Sequence, residues 1–490
     1  MNNLKKIICC CCITLFSGLC YAQNSKTGNV ILSDTSLLAA NSTSKVCIKN
    51  LTVSGTKKTR IYIIYREIQF KTGDSLLITD LHKELEQARF QVYNTTLFNE
   101  VIFELVAIDT GNVNINVRVT ERWYLYPVPQ FKWVDRNFNE WYRTYKASLS
   151  RVNYGVKFVH YNLSGRRDQL RIYLINGYSR NISFSYNAPY SNKALTEGFT
   201  IGGGYIQKRE LAYKADVKDS LMFYPSDPAA KARAEFVYKS WYAHAGYTIR
   251  RGFFKKHVFS ASYTWIKIAD SVITGRYNKN YFKDSVTSKG IIDLTYTQQY
   301  ANVNNGSYPL TGKTWFLSLQ KRGLGFTGGI NMLQLEAGFN KYFDLGKNWY
   351  SSIQLNGKIR FPFNQAYINQ RGLGYGENYL RGLEYYVIDG VATALVKSTI
   401  KKKIIAFNVP FPFFPKLLTK IPFAFYAKTY ADMGYVYTKK IYTTNLNNRL
   451  LYSGGFGIDI LTLYDINLRI EYSFNQLKEN GLFLHNQSGF

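Results

Sequence analysis

Several residue types and patterns are scarce in this sequence, and their scarcity excludes whole classes of protein. Beyond residue 22 there is one cysteine, Cys47, so that part of the chain can form neither an internal disulfide nor a cysteine metal cluster. No run of about 18 apolar residues follows the N-terminus, which excludes a bundle of membrane-spanning helices. The five histidines show no HExxH spacing, and no Gly-x-Ser-x-Gly motif is present. We therefore predict that the protein is not an enzyme and uses no cofactor.

Acidic residues are also few relative to basic ones, whereas aromatic residues are abundant. The chain has 62 Lys and Arg against 32 Asp and Glu, a net charge of +30, and 41 Tyr and 32 Phe. The basic residues are scattered rather than clustered, which disfavours nucleic acid as a partner. For an exported protein, anionic lipid head groups or lipopolysaccharide phosphates are the natural counter-charges. A solvated basic surface without a specific partner is the alternative.

The first 22 residues have the pattern of a secretory signal peptide. Lys5 and Lys6 precede an apolar run over 7–16, and Ala22 provides a small residue at the cleavage position. Lipidation at Cys20 is disfavoured because Leu19 occupies the preceding position, where a small residue is needed. We therefore expect the mature protein outside the cytosol.

Residues 44–126 are predicted to form a small α+β domain. Apolar residues alternate or recur at helical spacing in short segments that are separated by turn residues such as Gly73. The predicted order is strand 46–53, helix 59–70, a helix that begins at Thr79 or Asp80, and strands 101–108 and 113–119. An open sheet edge in such a domain can accept a strand from a partner.

Residues 128–490 alternate between apolar and polar side chains in segment after segment, for example over 352–361 and 467–474. Several segments reach about nine residues, the length that a tilted strand needs to cross a bilayer. Because lipid cannot satisfy an open sheet edge, such strands close into a barrel. We predict an all-β transmembrane barrel of about 16 antiparallel strands; a soluble sandwich, which also alternates, is the alternative. The proline-rich stretch 410–422 predicts a long turn, because prolines lack the donors that a sheet ladder needs.

Short motifs give both parts of the sequence a family resemblance. In the first part, Arg66-Glu67, Gly73 and Glu121-Arg122-Trp123 resemble a POTRA domain, the periplasmic module of outer-membrane assembly and secretion proteins. In the second part, the YPxxG, VRGF/Y and FxDxG motifs of the BamA/TamA family have counterparts in that order: Tyr308-Pro309-Leu310-Thr311-Gly312, Leu380-Arg381-Gly382-Leu383 and Tyr430-Ala431-Asp432-Met433-Gly434. The chain thus resembles BamA/TamA outer-membrane assembly factors with a single POTRA-like domain.

The resemblance implies a role for these motif residues. In the family, the arginine motif lies at the tip of an extracellular loop that folds back into the barrel lumen, and its arginine contacts the aspartate of a neighbouring wall strand. This contact carries over to Arg381 and Asp432, where a charge-assisted pair would hold the loop tip. Gly382 would let the backbone approach the wall closely. The implied site residues are Leu380, Arg381, Gly382 and Leu383 on the loop, Tyr430, Asp432 and Gly434 on the wall, and Tyr308, Pro309 and Gly312 at a strand start.

The resemblance also implies a function in which the protein catalyses no chemical reaction. The chain would insert and fold β-barrel proteins, or translocate polypeptides, at the bacterial outer membrane, with its POTRA-like domain in the periplasm. Its partners would be unfolded outer-membrane protein clients, outer-membrane lipids and accessory lipoproteins. The alternatives are a dedicated two-partner-type secretion pore and a passive porin or structural barrel. A single POTRA-like unit favours a specialised role, because the central assembly factor usually carries several.

Overall fold

A computed structural model of the chain describes residues 30–33, 45–109, 111–134, 146–226, 235–275, 277–324, 330–376, 378–410, 420–439 and 445–487. The predicted signal peptide, residues 1–22, lies outside these ranges. The described residues form a small α+β domain and a large antiparallel sheet. None of the helices in these ranges is long and apolar enough to cross a membrane.

The small domain is a five-stranded sheet with two helices packed against it. Its elements are β1 (Val30–Ser33), β2 (Lys45–Ser54), α1 (Ile61–Tyr65), β3 (Ser75–Leu77), α2 (Ile78–Tyr93), β4 (Phe98–Ala107) and β5 (Asn112–Glu121). The strands lie in the order β1-β4-β5-β2-β3. Helix and strand side chains share one core, in which Ile48, Leu85 and Phe103 are fully buried.

The first helix is shorter than the sequence predicts. Apolar spacing predicts a helix over 59–70, but α1 covers only Ile61–Tyr65. Beyond it the chain tightens into i→i−3 hydrogen bonds, from Glu67 N–H to the Ile64 carbonyl and from Ile68 N–H to the Tyr65 carbonyl. The physical reason is tertiary, because this turn directs the polar side chains after α1 towards the large sheet. Apolar periodicity does not report that contact.

The large sheet contains 16 antiparallel strands, which confirms the barrel predicted from alternation. Its strands are β6 (Leu125–Trp133), β7 (Val152–Tyr161), β8 (Gln169–Gly177), β9 (Ser179–Ala188), β10 (Glu197–Lys208), β13 (Tyr238–Arg251), β14 (Lys255–Ile268), β15 (Ser288–Val303), β16 (Gly312–Arg322), β17 (Met332–Gly346), β18 (Trp349–Phe361), β21 (Ala392–Pro410), β22 (Lys420–Tyr437), β23 (Leu450–Leu461), β24 (Asn467–Asn475) and β25 (Asn480–Gln487). Loops carry two hairpins and a helical turn: β11 (Leu211–Ala215) with β12 (Leu221–Tyr224), β19 (Arg371–Leu373) with β20 (Ile388–Asp389), and α3 (Ser271–Thr274).

The two faces of the wall differ as a membrane barrel requires. On β18, Ile353 and Leu355 are 41% and 42% exposed and form part of an apolar outer surface, whereas Ser352 is 6% exposed and faces the lumen. On β21, Val396 and Ile400 are outward and the buried Thr399 is inward. Apolar side chains outside and polar ones inside distinguish this wall from a soluble sandwich, whose interior would be apolar.

The small domain sits on one end of the barrel. It contacts the turns that follow β7, β9, β13, β15 and β23, all of which lie at the same end because the strands alternate in direction. The apolar core of the small domain continues into one of these turns, where Tyr190 and Leu195 are 2% and 9% exposed. The two parts therefore share a core rather than only a linker.

A buried carboxylate, Glu67, lies at the centre of this contact and is 1% exposed. Arg250 Nη1 donates to Glu67 Oε1 at 2.6 Å and Arg250 Nη2 donates to Oε2 at 2.5 Å. The Tyr190 hydroxyl also donates to Oε1, at 2.5 Å. Next to Glu67, Arg66 donates to the carbonyls of Leu195 and Gly252. Bidentate, charge-assisted contacts of this kind fix orientation as well as adding affinity.

Acidification should loosen this contact. Burial raises the pKa of Glu67, but the hydrogen bonds and charge of Arg250, with Arg167 and Tyr190, outweigh burial and hold the pKa below its ordinary 4.5. A carboxyl group with a depressed pKa stabilises the docked state above its ordinary pKa, and that contribution is lost as the pH falls through the docked-state pKa. Interdomain distances from paired spin labels should therefore stay constant from about pH 7 to about pH 5 and broaden only below about pH 4.5. A Glu67→Gln variant lacks this titration, and an equal acid response in that variant would contradict the assignment.

The sheet has two terminal strands, β6 and β25, which begin and end its order. Among the residues that the structure describes, no backbone pairing joins these two strands to each other. Both are short, with 9 and 8 residues, and outward side chains of β25 such as Leu482 and Leu484 are 61% and 66% exposed. We call this junction between the first and last barrel strands the seam.

Candidate functional site

The connection between β18 and β21, residues 362–391, folds into the barrel lumen. It carries the hairpin β19–β20 and the predicted loop motif. Leu380, Arg381 and Leu383 are 2%, 8% and 2% exposed. The two leucines join an apolar cluster with wall residues, which consists of Leu373, Leu380, Leu383, Ile388, Leu395, Val436, Leu446 and Leu451. Burial of these apolar side chains offsets the chain entropy lost when the loop is ordered.

The structure brings Arg381 and Asp432 together. Arg381 Nε donates to Asp432 Oδ2 at 2.8 Å, and Nη2 donates to Oδ1 at 2.5 Å. The backbone N–H of Arg381 also points at Oδ2, at 3.3 Å. The guanidinium lies over the ring of Tyr430, 3.9 Å from its centroid, and Nη1 donates to Thr399. One side chain of the loop thus engages strands β21 and β22 through a bidentate ion pair and a cation–π contact.

Two glycines of the motifs provide the space that this contact needs. Gly382 has φ +87°, a conformation that a side chain rarely adopts, and a Cβ there would lie 3.0 Å from Ser473 Cβ. At Gly434, a Cβ would lie 2.5 Å from Leu380 Cδ1. The loop leucine therefore fills the place that a side chain at position 434 would occupy.

Substitution of Gly382 by Ala should partly release the loop. The left-handed backbone costs about 1–2 kcal/mol for a residue with a Cβ, which corresponds to roughly a 5–30-fold larger released population. Trypsin added to the purified protein in detergent should then cleave after Arg381 faster than in the parent protein. Gly376→Ala is the matched control, because Gly376 has φ +64° and so carries the same backbone cost, but a Cβ there would meet no atom within 4 Å. Cleavage should therefore rise less in Gly376→Ala than in Gly382→Ala, which adds a close contact with Ser473. Equal cleavage in the two variants would show that contact with Ser473 has no part in holding the loop.

The third motif lies at the other end of the lumen, in the turn between β15 and β16. Gly312 begins β16 with φ +106°, and a Cβ there would approach the Asn302 carbonyl oxygen to 2.1 Å. Pro309 lies within the turn, and Tyr308 is 3% exposed. The Tyr308 hydroxyl donates to Asp459 Oδ2 at 2.8 Å. The motif therefore directs a tyrosine from a turn into the lumen, where it meets β23.

A chain of buried charges connects these three motifs. Lys428 contacts both Asp459 and Glu471, the latter at 2.6 Å from its Nζ. Glu471 Oε1 lies 3.9 Å from Arg381 Nη1, and Lys401 Nζ lies 3.4 Å from Asp459 Oδ2. Lys401, Lys428, Asp459 and Glu471 are not identified by the sequence alone. Their inward position is the available signal, but their pairing depends on the register of four consecutive strands, β21 to β24.

The loop also contacts the last two strands. His485 on β25 lies 3.3 Å from Glu384 and 3.4 Å from Glu471, and its ring stacks on Tyr379. Ligand atoms of Glu384, Glu471 and His485 lie within 4.8 Å of one another, a spacing that a metal ion could use. Because Glu471 already contacts Lys428, a cation there would meet a competing positive charge. We interpret these three side chains as a polar bridge from the loop to the seam.

The structure thus combines a small α+β domain, a barrel of sixteen antiparallel strands and a loop that folds into the barrel lumen. Residues 46–122 match the POTRA family model described as a surface antigen variable number repeat, which confirms the predicted POTRA domain. A comparison with curated proteins finds no match.

Solved structures with a similar arrangement include two kinds of protein. BamA from Haemophilus ducreyi lacking POTRA domains 1-3 is 14% identical, with 90% of this chain and 84% of that chain covered and a TM-score of 0.48. CdiB from Escherichia coli is 10% identical, with coverage of 90% and 75% and a TM-score of 0.49. CdiB from Acinetobacter baumannii is 12% identical, with coverage of 90% and 73% and a TM-score of 0.45.

Proposed function

We propose that this protein inserts β-barrel proteins into the bacterial outer membrane or translocates polypeptides across it. The observation that carries the proposal is the seam, at which β6 and β25 show no pairing with each other in the described part of the chain. An unpaired strand edge in lipid strongly favours pairing, so a client strand arriving there gains hydrogen bonds. The client's own folding supplies the driving force, and no cofactor or nucleotide is needed.

The position of the POTRA domain supports the same function. Its last strand, β5, ends at Glu121, and the first barrel strand begins at Leu125, so the domain adjoins one edge of the seam. The domain would lie in the periplasm and the barrel in the outer membrane, with unfolded outer-membrane proteins as clients. Lipopolysaccharide phosphates would be counter-ions for the basic chain, and accessory lipoproteins would be further partners.

The lumen loop opposes the porin alternative. The residues around Arg381 occupy the barrel interior and are tied to the wall on β21, β22 and β24. An occupied lumen leaves little room for passive flow. Purified protein in planar bilayers should therefore show low conductance, and a large, steady ohmic conductance would favour a porin.

Depletion of the protein followed by quantitative outer-membrane proteomics tests the proposal. Loss of many barrel proteins would support general assembly, and loss of one exported protein would support dedicated secretion, the second candidate. The presence of one POTRA domain in the described residues favours a specialised role. No change in the proteome after depletion would contradict both functions. Re-expression of the parent protein is the control for secondary effects of depletion.

A further inference from the structure

The POTRA sheet has an edge that its own N-terminal segment covers. Strand β1 pairs in parallel with β4, with Val30 opposite Phe103, Ile31 opposite Glu104, Leu32 opposite Leu105 and Ser33 opposite Val106. Without β1, β4 would be the terminal strand on that side of the sheet, because β5 occupies its other edge. This strand is not predicted by the sequence alone.

We infer that β1 is an intramolecular occupant of the client-capture edge of β4, so that a client strand must displace residues 30–33 in order to bind. The inference rests on the proposed function, in which unfolded outer-membrane proteins are the clients, and it adds that the POTRA domain captures them. An edge strand presents a row of unpaired N–H and C=O groups, and adding a strand to it is a general mode of peptide recognition. In this chain, that row is already paired over the length of β1.

The pairing of β1 with β4 is small enough for a competing strand to displace it. Strand β1 has only four residues. Val30 packs against the domain core, whereas Ile31 is 42% exposed. A four-residue strand gains few ladder bonds, so its retention depends on the tether to β2. A short tether gives an effective concentration in the millimolar range, which weakens a competing ligand without excluding it.

The connection to β2 has a suitable length. Eleven residues, 34–44, separate Ser33 from Lys45. In the sheet, β1 lies three strand positions from β2, a distance of about 14 Å. Because β1 runs parallel to β4, and β2 runs parallel to β5, the end of β1 and the start of β2 lie at the same end of the sheet. Eleven residues in a fully extended chain could span more than twice that distance, so the length of the connection does not prevent release of β1.

The geometry also indicates the chemistry of the displacing partner. It is an extended peptide that runs parallel to β4, with an apolar side chain where Val30 meets the core. The opposite face of that peptide lies beside Glu104 and is open to solvent, as the exposure of Ile31 shows. An alternating apolar and polar strand, the pattern of a membrane barrel strand, meets both requirements.

Peptide binding to full-length protein in detergent tests the inference. The probe is a fluorescent peptide of residues 27–36 of this chain, and the control peptide carries Val30→Pro and Leu32→Pro, which remove two N–H donors. A variant that lacks residues 24–33 should bind the probe roughly tenfold more tightly than the parent, because the tethered competitor is gone. The control peptide should bind neither protein. Equal probe binding by parent and truncated protein would overturn the inference, as would no binding to a truncated protein whose circular dichroism is unchanged.

A cross-linked variant keeps the test valid if the truncated protein fails to fold. Ile31→Cys and Glu104→Cys lie opposite each other, and Cys47→Ser removes the native thiol. The oxidised form should lose probe binding and reductant should restore it; unchanged binding on oxidation would overturn the inference. Failure of the proposed function can be distinguished from failure of this inference. Displacement as expected together with an unaltered outer-membrane proteome on depletion would refute the assembly role and leave the edge occupancy standing.

Discussion

Replacement of Arg381 by Ala is expected to abolish function while leaving an exported, folded barrel. The substitution removes the bidentate contact with Asp432 and the cation–π contact with Tyr430, and leaves a carboxylate with 1% exposure without its closest cation. Removal of one partner of a buried ion pair costs about 3–5 kcal/mol, which is enough to release the loop but not to unfold a barrel of 16 strands. Heat-modifiable gel migration should report the intact barrel, and complementation of a depleted strain should fail.

Three further variants sharpen this test. Arg180→Ala, which removes an arginine that donates to Asn176 outside the charge network, should complement fully. Arg381→Lys keeps the charge but loses the planar guanidinium that makes the bidentate contact with Asp432, so intermediate activity is expected. The double variant Arg381→Ala with Asp432→Ala should be no worse than Arg381→Ala alone, because the pair acts as a unit. Full activity of Arg381→Ala would show that the contact between Arg381 and Asp432 is not needed for function.

Replacement of Arg250 by Ala is expected to detach the POTRA domain from the barrel. The change leaves Glu67, which is 1% exposed, without its bidentate partner. We expect the free energy of docking to fall by about 3–5 kcal/mol, because an unpaired buried carboxylate must either be protonated or exposed to water. Spin labels on α2 and on the turn after β9 should report a narrow distance distribution in the parent and a broad one in the variant.

A surface pair on the same domain provides the comparison. Glu104→Gln breaks the contact with Arg118, whose side chain is 56% exposed, and should change stability by less than about 1 kcal/mol. Adding Glu67→Leu to Arg250→Ala should recover part of the docking, because it removes the uncompensated charge. A narrow distance distribution in Arg250→Ala would mean that the shared apolar core around Tyr190 holds the domain without the ion pair.

The barrel could be predicted from sequence because its signal is local. Residues such as Ile353 and Leu355 point outward wherever the strand lies in the wall, so period-two alternation survives without knowledge of neighbours. The predicted proline-rich turn over 410–422 falls largely on residues 411–419, which lie outside the described ranges. Its two end residues belong to strands: Pro410 ends β21, and Pro422 lies in β22 opposite Asn408 of β21. Proline lacks a donor but keeps its carbonyl acceptor, so at the end of a ladder only one bond is lost.

The site could be predicted only as far as the family resemblance reached. Arg381 and Asp432 belong to recognisable motifs, and the structure brings them together. Lys428 and Glu471 carry no motif. Their contact at 2.6 Å joins β22 to β24 across Gly457 of β23, and this register is not readable from the sequence. Strand β1 escapes prediction for a different reason. Four residues are too few for a periodic signal, and the strand exists only because β4 offers an edge.

The close coupling of the two domains has a mechanical consequence. Only three residues, 122–124, separate β5 from β6, and one of them, Arg122, donates to Asp465 in the turn that leads into β24. A force that a captured chain exerts on the POTRA domain would therefore reach the barrel by two short routes. One is the direct connection to β6, and the other is the Arg122–Asp465 contact next to β24, the neighbour of β25. Such a force would act on both sides of the seam at once. Strands on the opposite side of the barrel would experience little of it.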